Sequence, residues 1–120
     1  MRKILFRGKN LFGKWIKGDL LQYLGWGKMN IVQQYKGAGG QEVDPSTIGE
    51  YTGLKDKHGK MIFEGDIVLL KGDEEPYQVA FDECCFQVYS HSVCYVMDNF
   101  YNCDIEVIGN IYDNPELLGV

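Results

Sequence analysis

Apolar and polar residues alternate along this chain in short runs, and the three- and four-residue spacing of a helix face is nearly absent. Tyr77, Val79 and Phe81 alternate with Gln78 and Ala80, the period of a half-buried strand. Ile67-Val68-Leu69-Leu70 is an unbroken apolar run, short enough for a strand buried on both faces. Cys85 to Ser90 and Val93 to Met97 continue the strand pattern. Further on, Ile105, Val107, Gly109 and Ile111 share one strand face, with Glu106, Ile108, Asn110 and Tyr112 on the other. At the front, Lys3 to Arg7 begins a short strand and Gly8 to Gly13 forms a loop. Trp15-Ile16-Lys17 and Asp19 to Leu24 flank Gly18, which predicts one bent or bulged strand. Gly25 to Lys28 reads as a turn, with Met29 to Tyr35 as the returning strand.

Turn chemistry punctuates these runs. Lys36-Gly37-Ala38-Gly39-Gly40-Gln41 has no means of ordering itself and reads as a mobile loop. Asp56-Lys57-His58-Gly59 fits a type I turn, with Asp accepting backbone hydrogen bonds and Gly tolerating positive φ. It joins Tyr51–Leu54 to Lys60–Phe63 as a hairpin, and Glu64-Gly65-Asp66 redirects the chain into the next strand. Asn114-Pro115-Glu116 starts a helix of one or two turns, with Asn as N-cap and Pro at the first position. Leu117 and Leu118 are then placed to close one end of the core.

Many short antiparallel strands with glycine corners predict a mainly β fold, a small barrel or roll with extra N-terminal strands and a short C-terminal helical turn. Side chains fill the interior of so small a barrel, so any activity belongs on its outside. The length, 120 residues, suits one domain spanning 1–120. No apolar stretch reaches the roughly 20 residues of a membrane helix, and the apolar run in MRKILFRGKN is too short for a signal peptide. A cytoplasmic location follows, with Cys84, Cys85, Cys94 and Cys103 as reduced thiols. The net charge of −5 hides an asymmetry: residues 1–60 carry eleven Lys and Arg against five acids, whereas 61–120 carry only Lys71 against twelve.

The segment Asp44-Pro45-Ser46-Thr47-Ile48-Gly49-Glu50-Tyr51-Thr52-Gly53-Leu54-Lys55-Asp56, followed by Gly59-Lys60 and Phe63-Glu64-Gly65-Asp66-Ile67-Val68, resembles the YopX family of phage, prophage and mobile-element proteins. The ending Ile105 to Leu118 is similar to that family's C-terminal signature, and Met1–Arg7 and Trp15–Leu24 to its N-terminal region. Glu50, His58 and Phe63 stand where the family tends to have Gln, Asn and Tyr. Residues 71–104 carry no alignable motif. The resemblance implies an SH3-like barrel within a β-rich fold and implies no biochemical activity.

The cysteines lack the paired spacing of a zinc site, and adjacent Cys84 and Cys85 point to opposite faces of a strand, so they cannot easily share an ion; the cysteines read as small buried hydrophobes. Cys85 or Cys94 with His91 makes a weak nucleophile–base pair. Glu64 and Asp66 suit a paired-carboxylate site or a glycine corner held by backbone N–H bonds, and the second reading also explains Gly65 between them. Asp56, Gly59, Glu64, Gly65 and Asp66 therefore form a structural turn signature. Gly37 to Gly40 lacks the Lys-Ser/Thr of a phosphate loop. No enzymatic role, cofactor, metal or small-molecule substrate is expected.

Two binding classes remain. In the basic half Arg7, Lys14, Trp15, Lys17, Trp26 and Lys28, with Phe12 and Tyr23 nearby, combine cations and flat rings as a single-strand nucleic-acid surface does. The overall acidity opposes that reading, and the preferred expectation is a protein-interaction module. Its contacts are strand edges, which also favour self-association, or the acidic run Asp73, Glu74, Glu75, Asp82 and Glu83.

Overall fold

A computed structural model of the chain describes residues 4–23, 28–32, 40–82, 85–90, 94–97 and 105–119, with side chains described throughout except at 21–23, 28–30 and 32. The strands are β1 (Phe6–Lys9), β2 (Trp15–Tyr23), β3 (Lys28–Val32), β4 (Gln41–Val43), β5 (Gly49–Lys55), β6 (Met61–Phe63), β7 (Asp66–Leu70), β8 (Tyr77–Asp82), β9 (Cys85–Tyr89), β10 (Cys94–Val96) and β11 (Ile105–Asn110). Helical structure among these residues is confined to 3₁₀ turns, including Pro45–Thr47 and Pro115–Leu118. The chain divides into two compact units, Met1–Tyr51 and Thr52–Val120. The turn expected at 25–28 and the glycine loop at 36–41 lie largely outside the described residues.

In the first unit the strands run in the order β4-β3-β2-β1, and the front of β5 pairs with β1. Phe6 lies opposite Gly18, Arg7 opposite Lys17, Gly8 opposite Ile16 and Lys9 opposite Trp15. Strand alternation thus sends Phe6, Ile16 and Leu20 to one face, where they pack with Ile31, Val43 and Ile48. Gly8 has no room for a side chain, because a Cβ there would lie 3.1 Å from Val43 Cβ. The other face carries Arg7, Lys9, Trp15 and Lys17. Of the bend or bulge expected at Gly18, no bulge forms: β2 pairs without a shift with β1 up to Gly18 and with β3 from Asp19. A glycine facing Phe6 accommodates the ring without breaking the ladder.

In the second unit the tail of β5 and β6 form a hairpin, and five strands pair in the order β10-β9-β8-β7-β11. Its core is Ile62, Val68, Leu70, Tyr77, Val79, Phe86, Val88, Met97 and Ile105, with Leu54 and Val107 packed against it. Turn, hairpin and sheet are joined by Asp56, which is 1% exposed. One carboxylate oxygen accepts from the backbone N–H of His58 and of Lys60, both at 2.9 Å. The other accepts from Val107 N–H of β11 at 3.0 Å, and Lys57 N–H donates to Ile105 C=O at 2.9 Å. Here a closed barrel would continue its ladder. A single backbone bond and a side chain stand in its place; the two antiparallel sheets remain open, so of the expected barrel or roll the closed barrel does not form.

Gly65 is the second fixed corner. Its N–H donates to Val79 C=O, its own C=O accepts from Ile111 N–H (both 2.9 Å), and its φ is +94°. Asp66, buried beside it, accepts from Phe63 N–H at 2.8 Å. The register shift in this sheet lies in β11 between Val107 and Gly109. It breaks the simple alternation expected over 105–112 and places Gly109 against the C-terminal turn, where a Cβ would come 2.7 Å from Asn114 Oδ1. Asn114 does not cap the 3₁₀ turn with its side chain; its Oδ1 accepts instead from Asn110 N–H at 3.3 Å. So short a turn cannot carry Leu117 and Leu118 into the core, and they remain exposed and half-buried.

Candidate functional site

The predicted basic and aromatic surface comes together only in part. The Arg7 guanidinium lies 4.7 Å from the Trp15 ring centroid and the Lys9 ammonium 5.5 Å from it, both within cation–π range. The ring meant for a base is thus already faced by cations, and Arg7 is only 7% exposed. Lys14 and Lys17 are exposed. Trp26 lies outside the described residues, and Lys28 is placed only as the first residue of β3.

The loop expected at Gly8 to Gly13 is a tight turn between β1 and β2, and its apolar tip was not expected. Leu11 is 73% and Phe12 93% exposed at its tip. The display is rigid: Asn10 Oδ1 accepts from the N–H of Phe12 and of Lys14 (2.9 Å each), while the Asn10 amide donates to Gln41 Oε1 at 3.1 Å. Backbone bonds Asn10 N–H to Lys14 C=O and Gly13 N–H to Asn10 C=O close it, with Gly13 at φ +78°. An Asn followed three residues later by Gly was the available signal, since that pair writes a tight turn. Exposure of the two apolar residues between them is not written in the sequence.

Divided at the unit boundary, the charge asymmetry is smaller but keeps its sign. Met1–Tyr51 holds eight Lys and Arg against four acids, a net +4, and Thr52–Val120 holds four against thirteen, a net −9. Of the acidic run, Glu74 and Asp82 are exposed, Asp73 and Glu75 half-buried, and Glu83 lies outside the described residues. Asp73 is structural: it accepts from Tyr77 O–H at 2.6 Å and Glu75 N–H at 3.0 Å. The bond from Tyr77 holds the Asp73 carboxyl below its usual range and, with burial, pushes the Tyr77 phenol up to about 12. Beside this loop is a groove of about 470 Å³, lined by Glu75, Pro76, Gln78, Tyr89, Leu117 and Leu118.

The turn-signature residues are brought together around backbone. Burial alone raises the Asp56 carboxyl, but the N–H groups of Val107, Lys60 and His58 outweigh it and hold the group below its ordinary value. Glu64 is half-buried beside Gly65. Cys85 is half-buried and Cys94 exposed, both as thiols, contrary to the expectation of buried cysteines; Cys94 lies on β10, at the end of the strand order. Gln87 donates to Cys85 Sγ at 3.5 Å and accepts from the Cys94 thiol at 2.6 Å. Cys84, His91 and Cys103 lie outside the described residues. Among those described, no three His, Cys, Asp or Glu side chains converge as metal ligands, and no helix is long and apolar enough to cross a membrane.

The comparisons with known proteins concern the family and the overall fold. The family model for YopX protein matches residues 5–119, and the chain belongs to the YopX family. It is similar to a solved structure described as the crystal structure of protein EF1440 from Enterococcus faecalis, at 24% identity over 98% of this chain and 99% of that one, with a TM-score of 0.68. At that identity the likeness concerns the fold. No curated protein matches the chain.

Proposed function

We propose that this chain is a non-enzymatic protein-interaction module of a phage or related mobile element, acting in the cytoplasm through the Leu11–Phe12 turn. One observation carries the reading: two large apolar side chains stand in water on a turn whose backbone is held by Asn10. Covering a Phe or Leu side chain is worth about 1.5–3 kcal/mol, and a turn already ordered loses little entropy when it docks. The second unit, in this reading, is an SH3-like roll left open at the Asp56 seam. Nucleic-acid binding through Arg7, Lys9, Trp15 and Lys17 is the weaker alternative, because Trp15 is already faced by cations and Arg7 is buried.

A photo-crosslinking amino acid at position 12, irradiated in the producing cell, tests the proposal against the same group at exposed His58. The expected result is a discrete protein adduct at position 12 that is missing at 58. Equal labelling at both positions, or none at 12, refutes it.

A further inference from the structure

We infer that the partner is a second copy of this chain: the Leu11–Phe12 turn of one molecule seats in the groove beside the C-terminal 3₁₀ turn of another. The inference rests on the reading of that turn as the contact element and goes further by naming what receives it. The groove is walled by Pro76, Tyr89, Leu117 and Leu118. Its volume, about 470 Å³, falls within the roughly 300–1,000 Å³ of pockets that enclose compact apolar ligands. Leu117 and Tyr89 are themselves left in water, so docking covers apolar surface on both sides.

Charge selects the same pairing. The turn is flanked in the chain by Lys9 and Lys14 and belongs to the unit of net +4, whereas Glu75 lines the groove, Glu116 adjoins Leu117, and their unit carries −9. Opposite fields of this kind orient an encounter and exclude the like-charged alternative of turn against turn. The two surfaces differ, so each molecule carries one turn and one groove, and the pairing either closes as a reciprocal dimer or continues head to tail; the limiting mass distinguishes the two. A contact of this size lies at the weak end of protein interfaces, and association is expected only at high protein concentration and low salt.

Sedimentation velocity on the full chain decides the matter. The wild type is expected to rise above its 13.7 kDa monomer mass as concentration increases. Phe12→Ser, lacking the turn contact, and Leu118→Arg, with the groove filled, should each remain monomeric. Mixed in equal amounts, they retain one intact turn and one intact groove per pair, so the mass should double and go no further. Circular dichroism verifies folding, and Tyr89→Ser replaces Leu118→Arg if the latter unfolds. A wild type that stays monomeric throughout, variants that associate like the wild type, or a mixture that fails to pair overturns the inference. If the wild type is monomeric while position 12 still crosslinks to a different protein, self-pairing fails and the interaction reading stands; if both are negative, both fall.

Discussion

Replacing Asp56 offers the most direct test of how the second unit is held together. Asp56→Ala removes the acceptor for the N–H groups of His58, Lys60 and Val107. A buried donor left unsatisfied costs about 1–3 kcal/mol; with water reaching the two turn amides more readily than the third, the sum is about 3–4 kcal/mol. Asp56→Asn keeps one oxygen for the turn but sets its amide against Val107 N–H, and should cost about 1–2 kcal/mol. Both tryptophans, Trp15 and Trp26, lie in the first unit, so fluorescence would follow the wrong half. Urea unfolding read by far-ultraviolet circular dichroism is suitable; with a slope of about 1–3 kcal/mol per molar, a loss of about 3 kcal/mol lowers the midpoint by about 1–3 M. Hydrogen exchange at the Val107 amide reports the same bond locally. The pH dependence follows from the lowered carboxyl. The unfolded chain binds this proton more tightly than the folded one, so the stabilisation is complete above the ordinary value of 3.8 and is lost as pH falls below it toward the folded value. Asp56→Asn should lack that slope. An Asp56→Ala midpoint indistinguishable from wild type, with Val107 still protected, would refute the seam described here.

At Gly65, any side chain meets both the φ of +94° and Tyr112, whose ring carbon would lie 3.0 Å from the new Cβ; Gly65→Ala should cost about 1–3 kcal/mol, measured by thermal unfolding, whereas Gly59→Ala meets open space and should cost less. Tyr77, with its phenol raised from 10.0 to about 12 chiefly by the bond to Asp73, stabilises the fold fully below pH 10 and loses that contribution as pH rises toward 12. Tyr77→Phe should flatten that alkaline stretch of a melting-temperature profile; an unchanged slope would assign it to other groups.

The strand pattern was readable because its period is local. The alternation of Tyr77 and Val79 with Gln78, and the continuous run Ile67 to Leu70, reappear as β8 and β7 with those side chains covered. The Asp-to-Gly spacing at 56–59 coincides with the reversal from β5 into β6. Features depending on distant neighbours were not readable. Phe81 keeps the period of Tyr77 and Val79 yet is exposed, resting edge-on against Phe86 at a centroid distance of 5.0 Å where the sheet extends beyond its cover. A bend or bulge was expected at Gly18, whereas a register shift occurs at Val107–Gly109, where the C-terminal turn lies against Gly109. Arg7 looked like a surface cation and lies under Trp15. Phe12 looked like a stacking ring and stands 93% exposed at the tip of the turn between β1 and β2.

Strand β5 has one further consequence. Gly49–Tyr51 belongs to one compact unit and Thr52–Lys55 to the other, so no spacer separates them: the border runs through consecutive peptide bonds of a single extended segment. Recombination at that border would cut a strand in half and leave each product with an unpaired stub. A dissection that keeps residues 49–55 in both pieces is therefore expected to retain more structure than one that cuts between Tyr51 and Thr52.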